Sequence, residues 1–158
     1  MTSTSAVANE FLSHQRIAVA GVSRHPAGHG GNLVYQRLRS RGYQVYAVNP
    51  HATTVEGDPC YPDLQSIPGG VEVVVIATNP AASESVARQC LELGITRVWM
   101  HRSFGQGSVS DAATDYCRTH GITVIAGGCP LMFGPTADFG HRCMAWIGKL
   151  SGSVPRSV

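Results

Sequence analysis

Residues 17 to 31 read Ile17-Ala18-Val19-Ala20-Gly21-Val22-Ser23-Arg24-His25-Pro26-Ala27-Gly28-His29-Gly30-Gly31. The first six form an apolar run with the length of a buried strand, and the glycine-rich loop after them leads into a segment with helical periodicity. A loop of this kind directs backbone N–H groups and a helix N-terminus at one point, which favours a phosphate group there. We therefore predict a fold organised around a strand, a phosphate-binding loop and a helix.

Strand and helix patterns alternate along the rest of the chain. An amphipathic helix is predicted within 5–15, strands at 17–22, 44–48, 71–78, 97–100 and 122–126, and helices at 29–41, 80–93 and 109–120. Residues 53–70 are expected to form a loop with a short helical turn around Leu64 and Ile67. This alternation predicts an α/β fold, a doubly wound parallel sheet of about five strands with helices on both faces.

Length and composition predict one domain. The 158 residues are 43% hydrophobic, so we expect a single domain over 1–158, with a core at about 17–130 and a C-terminal tail at 131–158 that ends in a short helix. The net charge of +2 is too small and too evenly spread to favour a nucleic-acid or membrane surface. The N-terminus has no signal-peptide pattern, and no apolar run approaches the ~20 residues of a membrane span. We expect a cytoplasmic protein.

The five cysteines argue against a zinc site and a disulfide scaffold. They are widely spaced, odd in number and without a Cys-x-x-Cys pair: Cys60, Cys90, Cys117, Cys129 and Cys143. Free thiols in a reducing compartment explain this pattern best, and no metal site is predicted.

Loops rich in glycine, serine, asparagine and threonine follow each predicted strand, at 21–31, 49–54, 78–82, 101–107 and 127–130. Parallel strands place their carboxyl ends at one edge of the sheet, where ligands of doubly wound folds bind. We therefore predict a ligand cleft across these loops.

The first loop departs from the dinucleotide fingerprint Gly-x-Gly-x-x-Gly. Gly21 takes the first glycine's place, but Ser23 and Pro26 stand at the other two, and the second strand ends without an acidic residue for a ribose diol. These departures count against a nicotinamide cofactor. The Ser23 hydroxyl and the Arg24 guanidinium suit a more highly charged diphosphate, and the absence of an acid near His51 suits a phosphorylated ribose.

Separate blocks of sequence share a resemblance in order and spacing. They are Ala20-Gly21-Val22-Ser23-Arg24-x-Pro26, Gly42-Tyr43-x-Val45-x-x-Val48-Asn49-Pro50, Gly57-x-x-Cys60-Tyr61-Pro62-x-Leu64-x-x-Ile67-Pro68, Val98-Trp99-Met100, Gly121-Ile122-x-Val124 and Cys129-Pro130. With them the chain, from about Ile17 to Pro130, resembles the small CoA-binding domain family, which is related to the CoA-binding domain of the succinyl-CoA synthetase α subunit. The resemblance implies a Rossmann-like domain that binds coenzyme A through its ADP portion.

The resemblance also implies which residues contact the ligand. Gly21, Ser23 and Arg24 would line the diphosphate and the ribose phosphate, and Thr78, Asn79 and Pro80 would border the adenine and its ribose. His51 stands near the position where the synthetase relatives often carry a basic residue, and His101 would contact a phosphate or the pantetheine arm. The full expected set is Gly21, Val22, Ser23, Arg24, Pro26, Gly30, Asn49, Pro50, His51, Thr78, Asn79, Pro80 and His101.

No catalytic set is evident in the sequence, so we expect a non-catalytic protein that binds CoA or an acyl-CoA for storage, sensing or delivery. Cys129 stands where the thiol end of CoA would reach, although a small apolar residue that fits a tight turn is the better explanation of this position. The alternatives are an NAD(P)-binding redox sensor or oxidoreductase, the CoA-binding subunit of a split acyl-CoA ligase, and an interaction module with a vestigial pocket. Its partner would be an enzyme or a second copy, which would dock through helix 109–120 or through Trp146 and Ile147.

Overall fold

A computed structural model describes residues 2–102 and 107–134, together with residues 142, 144, 147–148, 150–152 and 154–158. The helices in these ranges are α1 (Thr4–Phe11), α2 (Gly30–Ser40), α3 (Pro80–Glu92) and α4 (Asp111–Thr119). The strands are β1 (Arg16–Ala20), β2 (Gln44–Val48), β3 (Thr54–Val55), β4 (Asp58–Tyr61), β5 (Val73–Ile76), β6 (Arg97–Met100) and β7 (Thr123–Ala126). A single 3-10 turn, Pro130–Met132, follows β7.

The strands form one sheet in the order β3-β4-β2-β1-β5-β6-β7. All neighbours are parallel except β3 and β4. The chain leaves β1 to β2 on one side and returns to β5 on the other, so the connections change direction next to β1. This is the switch point at which doubly wound sheets open a crevice. The predicted α/β, Rossmann-like fold is confirmed.

Both faces of the sheet are covered, which explains the uninterrupted apolar run at 73–76. All four residues of β5 are fully buried, as central strands of parallel sheets are. On one face, Phe11 of α1 packs edge-on against Trp99 at a ring distance of 5.5 Å. On the other, α3 and α4 bury Val86 and Cys117 against the sheet.

The sheet contains all five predicted strands and two more, because the segment expected as a loop at 53–70 contains a β-hairpin. β3 and β4 pair through a tight turn in which Glu56 and Gly57 have φ angles of +52° and +80°, and β4 extends the sheet beside β2. Pro59 made β4 difficult to predict, since proline is depleted from strands and ordinarily marks a turn or a sheet edge. The expected turn is present as a hydrogen bond from the Ile67 N–H to the Leu64 carbonyl, 3.3 Å long.

The helices end where their glycines predict. Gly42, Gly94 and Gly121 follow α2, α3 and α4 with φ angles of +93°, +70° and +74°, the left-handed conformation of a C-terminal glycine. In the tail, Ile147, Gly148 and Leu150 are helical, whereas Trp146 lies outside the described residues. Within the described ranges, every helix is too short or too polar to cross a bilayer.

Candidate functional site

A cleft of about 990 Å³ opens at the carboxyl edge of the sheet, beyond the ends of β1, β2, β5 and β6. Nine of the residues predicted at the ligand line it: Gly21, Ser23, Gly30, Asn49, Pro50, His51, Thr78, Asn79 and His101. Its volume is at the upper end of the range of roughly 300–1,000 Å³ that is usual for small-molecule sites.

Gly21 brings the first loop against the third. Its φ is +99°, and a Cβ added to it would lie 2.5 Å from the Ala77 carbonyl oxygen. Gly31, in the first turn of α2, packs as closely, since its Cβ would lie 2.8 Å from the Gly21 carbonyl oxygen. Only glycine fits either position, and both residues line the cleft.

Asn32 fixes the shape of the first loop. It is 2% exposed, its side-chain oxygen accepts a 2.8 Å hydrogen bond from the Ser23 N–H, and its amide donates to the Ser23 carbonyl, also at 2.8 Å. The same amide donates to Glu56 at 2.8 Å, and Gln36 donates to the other Glu56 oxygen at 2.6 Å. These two bonds lower the pKa of the Glu56 carboxyl. The turn of the β3–β4 hairpin therefore helps to hold the loop.

Asn49 performs a similar structural task in the second loop. Its amide donates to the Val22 carbonyl at 2.9 Å, and its side-chain oxygen accepts from the His51 N–H at 2.8 Å. Both polar atoms of the side chain are thus engaged with backbone, which ties the end of β2 to the end of β1. Asn49 shapes the cleft wall and leaves the exposed His51 beside it.

The third loop starts α3. Asn79 is the N-cap residue, and its side chain accepts from the Ala82 N–H at 3.0 Å, with Pro80 in the first turn. Ser83, fully buried, donates to the Ser108 carbonyl at 2.7 Å and so joins α3 to the segment after β6.

His101 lines the cleft beside the N-terminus of α2. The backbone N–H of His101 donates to the Ile76 carbonyl at 2.8 Å. The imidazole ring packs closely on α2, since a Cβ added to Gly30 would lie 2.7 Å from the His101 Cε1 atom. His101 is 8% exposed, and burial lowers its pKa to about 4. The ring is therefore neutral at physiological pH, which makes it a hydrogen-bonding group and not a cation.

The electrostatic character of the cleft suits an anion. Among the described residues that line it, none is Asp or Glu and three are histidines. His29, the N-cap residue of α2, makes no side-chain cap bond, unlike Ser3, Asn79 and Ser110 at the other described helices. The first N–H groups of α2 are therefore left for another acceptor, and the positive end of the helix faces the cleft.

Four predicted residues lie elsewhere. The Val22 side chain is fully buried in the core, and Pro80 lies in the first turn of α3 without lining the cleft. Arg24 is exposed and does not line the cleft. Pro26 lines a second cavity of about 490 Å³, together with Leu33, Cys129 and Met144.

Sequence reasoning missed Asn32, Gly31 and Ser83. Asn32 directly follows the Gly30-Gly31 pair, and no local pattern distinguishes it from a polar residue on the exposed side of the predicted helix. The described residues contain no group of three or more His, Cys, Asp or Glu placed to hold a metal ion.

Known proteins resemble this chain in sequence and in fold. An ADP-forming acetate–CoA ligase I from Archaeoglobus fulgidus is 36% identical over 80 residues, which are 48% of this chain but only 12% of that protein. A hypothetical protein from Pyrococcus horikoshii OT3 superposes with a TM-score of 0.72 at 29% identity, covering 80% of this chain and 87% of that one. The dinucleotide forming acetyl-coenzyme A synthetase 1 of Ca. Korarchaeum cryptofilum superposes with a TM-score of 0.59 at 26% identity, covering 73% of this chain and 26% of that one.

A family model described as "CoA binding domain" matches residues 15–135. The match runs from the start of β1 to just beyond the 3-10 turn and includes every strand of the sheet. The chain therefore belongs to the CoA binding domain family.

Proposed function

We propose that the protein binds CoA or an acyl-CoA in the main cleft through its ADP portion, and that it stores, senses or delivers this ligand without catalysing a reaction. The observation that carries the proposal is the cleft itself. Four strand ends converge on it, the uncapped N-terminus of α2 faces it, and no carboxylate is among its described lining residues. Buried free thiols at Cys60, Cys90 and Cys117 fit a reducing, cytoplasmic setting.

The diphosphate would bind at the first turn of α2. Gly28, Gly30 and Gly31 leave the backbone there accessible, and helix N–H groups bind phosphate oxygens well. The Ser23 hydroxyl, whose oxygen accepts from the His25 N–H at 3.0 Å, would donate its proton to the same anion. Thr78 and Asn79 would border the adenosine, and His51 would meet the ribose phosphate at the rim.

A nicotinamide dinucleotide fits this cleft less well. The residue that follows β2 is Asn49, and both of its polar atoms are hydrogen-bonded to backbone. This position therefore lacks the free carboxylate that holds the ribose diol in dinucleotide-binding proteins.

A second candidate function, CoA-binding subunit of an acyl-CoA ligase divided among several chains, is favoured by the relatives. One relative is an ADP-forming acetate–CoA ligase, and this chain matches only 12% of that protein. Under this hypothesis the isolated chain binds CoA but forms no thioester from acetate, and it needs further subunits for activity.

Thermal unfolding with CoA, 3′-dephospho-CoA, ADP, NAD and NADP tests the main proposal. A ligand at about 100 times its Kd adds roughly 2.7 kcal/mol of stability, or several degrees in Tm for a domain of this size. We expect the largest shift with CoA and a smaller one with 3′-dephospho-CoA. A larger shift with NADP would favour the redox alternative, and no shift with any ligand would favour the interaction module.

His51→Ala tests the assignment of the ribose phosphate. We expect it to reduce the difference between CoA and 3′-dephospho-CoA, whereas His25→Ala, an exposed histidine outside the cleft wall, should leave that difference unchanged. An unchanged difference in His51→Ala would place the phosphate elsewhere.

A further inference from the structure

The second cavity adjoins the main cleft at the N-terminus of α2. The two share Gly28, His29, Gly30 and His101. From this junction the second cavity follows α2, because Gly30, Leu33 and Gln36 are spaced three residues apart and lie on one side of the helix. A CoA thioester whose diphosphate sits at the start of α2 can therefore extend its pantetheine arm, and the acyl group at the end of that arm, towards this cavity.

The described walls of the second cavity combine apolar side chains with two histidines and two amides. Leu33, Cys129, Met144 and Pro26 supply apolar surface, and none of its described lining residues is Asp, Glu, Lys or Arg. Both polar atoms of the Asn32 amide are bonded, to Ser23 and Glu56, and the Gln36 amide nitrogen donates to Glu56. Burial keeps the His101 ring neutral at the entrance. Such a cavity would favour an apolar group over a charged one, because an unpaired carboxylate loses its hydration on entering it.

We propose that the second cavity is the acyl pocket of this protein and that it selects short, uncharged acyl-CoA thioesters over free CoA and over dicarboxylic acyl-CoA. This inference rests on the proposed function, since the ADP portion must occupy the main cleft for the acyl group to reach the second cavity. It names the ligand more closely than the family does. The protein would act on the pool of monocarboxylic acyl-CoA, by storing or reporting it.

Leu33 is the residue that best tests the pocket. Its side chain is 45% exposed on α2, so that replacing it leaves the core intact. Leu91, 36% exposed on α3 and outside both cavities, is a matched control on another helix. The substitutions Leu33→Gln and Leu91→Gln make the same chemical change in the two places.

The experiment is calorimetric titration of the full chain and both variants with CoA, acetyl-CoA, butyryl-CoA and succinyl-CoA. Butyryl and succinyl groups have the same number of carbons and differ in a terminal carboxylate. We expect the wild-type affinity to rise from acetyl- to butyryl-CoA by up to about fourfold for each buried methylene, and succinyl-CoA to bind at least tenfold more weakly than butyryl-CoA. Leu33→Gln should lower the ratio of butyryl-CoA to CoA affinity towards one, and Leu91→Gln should leave that ratio at the wild-type value.

The outcomes separate this inference from the proposed function. If CoA binds but acetyl-, butyryl- and succinyl-CoA bind equally, or if Leu33→Gln and Leu91→Gln behave alike, the acyl pocket is rejected and the CoA site stands. If no thioester and no CoA binds, both proposals are rejected. Photolabelling with a butyryl-CoA analogue that carries a diazirine in the acyl chain gives an independent readout. Label on peptides that contain Leu33 or Met144 would support the pocket, and label confined to other peptides would overturn it.

Discussion

At the scale of single residues, two glycines with nearly the same backbone angle have opposite surroundings. Gly21 and Gly42 have φ angles of +99° and +93°. A Cβ on Gly21 would lie 2.5 Å from the Ala77 carbonyl oxygen, whereas one on Gly42 would meet nothing within 4 Å. The pair therefore separates the cost of a left-handed backbone from the cost of lost contact between the first and third loops.

We predict that Gly42→Ala lowers the free energy of unfolding by about 1–2 kcal/mol, the usual cost of a left-handed L-residue. Gly21→Ala should lower it by a further 1–3 kcal/mol or so, because the added methyl group meets backbone atoms that cannot move aside easily. Urea unfolding of both variants measures the difference. Equal losses would show that the Gly21 contact is less tight than the structure indicates.

Removing the Asn32 side chain would lower the free energy of unfolding for a different reason, since it leaves polar groups without hydrogen-bond partners. We predict that Asn32→Ala lowers the free energy of unfolding by about 2–3 kcal/mol, because the Ser23 N–H and carbonyl and one Glu56 oxygen lose their hydrogen bonds. Gln36→Ala, which removes one bond to Glu56, should cost about 1 kcal/mol or less. CoA affinity should fall in Asn32→Ala more than in Gln36→Ala, and similar losses in the two variants would contradict a loop-holding role.

His101 makes stability depend on pH in a defined window. Its pKa is about 4 in the folded chain and about 6.5 in an unfolded one. Between these values the unfolded chain binds more protons, so stability is full above about pH 6.5 and falls as the pH is lowered towards 4, by up to about 3 kcal/mol from this residue. Urea unfolding between pH 4.5 and 7 should give a shallower pH dependence for His101→Gln than for the wild type. Parallel curves would indicate that the ring is more accessible than its surroundings imply.

At the scale of elements, periodicity predicted the strands and helices well where burial alone determines them. β2 and β6 begin and end where predicted, and α3 is one residue shorter. The β3–β4 hairpin was not predictable in the same way. Its turn places a glutamate, Glu56, at φ +52°, and the bonds from Asn32 and Gln36 of α2 come from residues about 20 positions away in the sequence. Such tertiary support is invisible to a local pattern.

The N-cap of α3 links an element to the cleft. We predict that Asn79→Ala lowers the free energy of unfolding by about 1 kcal/mol, the usual cost of losing a capping side chain, and also weakens CoA binding, because Asn79 lines the cleft. Ser110→Ala removes the corresponding bond to the Ala113 N–H at the start of α4, outside the cleft wall. Ser110→Ala should lower the free energy of unfolding by a similar amount and leave CoA affinity unchanged. Loss of affinity in both variants would mean that the effect is one of global stability.

At the scale of the whole molecule, the strand order determines which loops meet. The sequence predicted loops at strand ends and a cleft across them, and the cleft lies beside β1, where the connections change direction. The sequence did not predict which polar side chains of these loops are exposed and which are hydrogen-bonded to backbone. Arg24 and Asn49 are both polar loop residues, yet the Arg24 side chain is exposed, whereas both polar atoms of the Asn49 side chain are hydrogen-bonded to backbone. Those outcomes depend on the packing of one loop against the next, which spacing along a single loop does not contain.

The same topology makes a prediction about the molecule as a whole, because the two edges of the sheet should respond differently to ligand. Hydrogen exchange with and without CoA should show slower exchange in peptides that cover 21–31 and 77–82. The opposite edge, where Glu72 accepts hydrogen bonds from His14 and from the Arg16 N–H, should exchange at an unchanged rate, since no residue there lines the cleft. Uniform slowing would indicate global stabilisation only, and slowing confined to the opposite edge would place the ligand away from the strand ends and reject the cleft as its site.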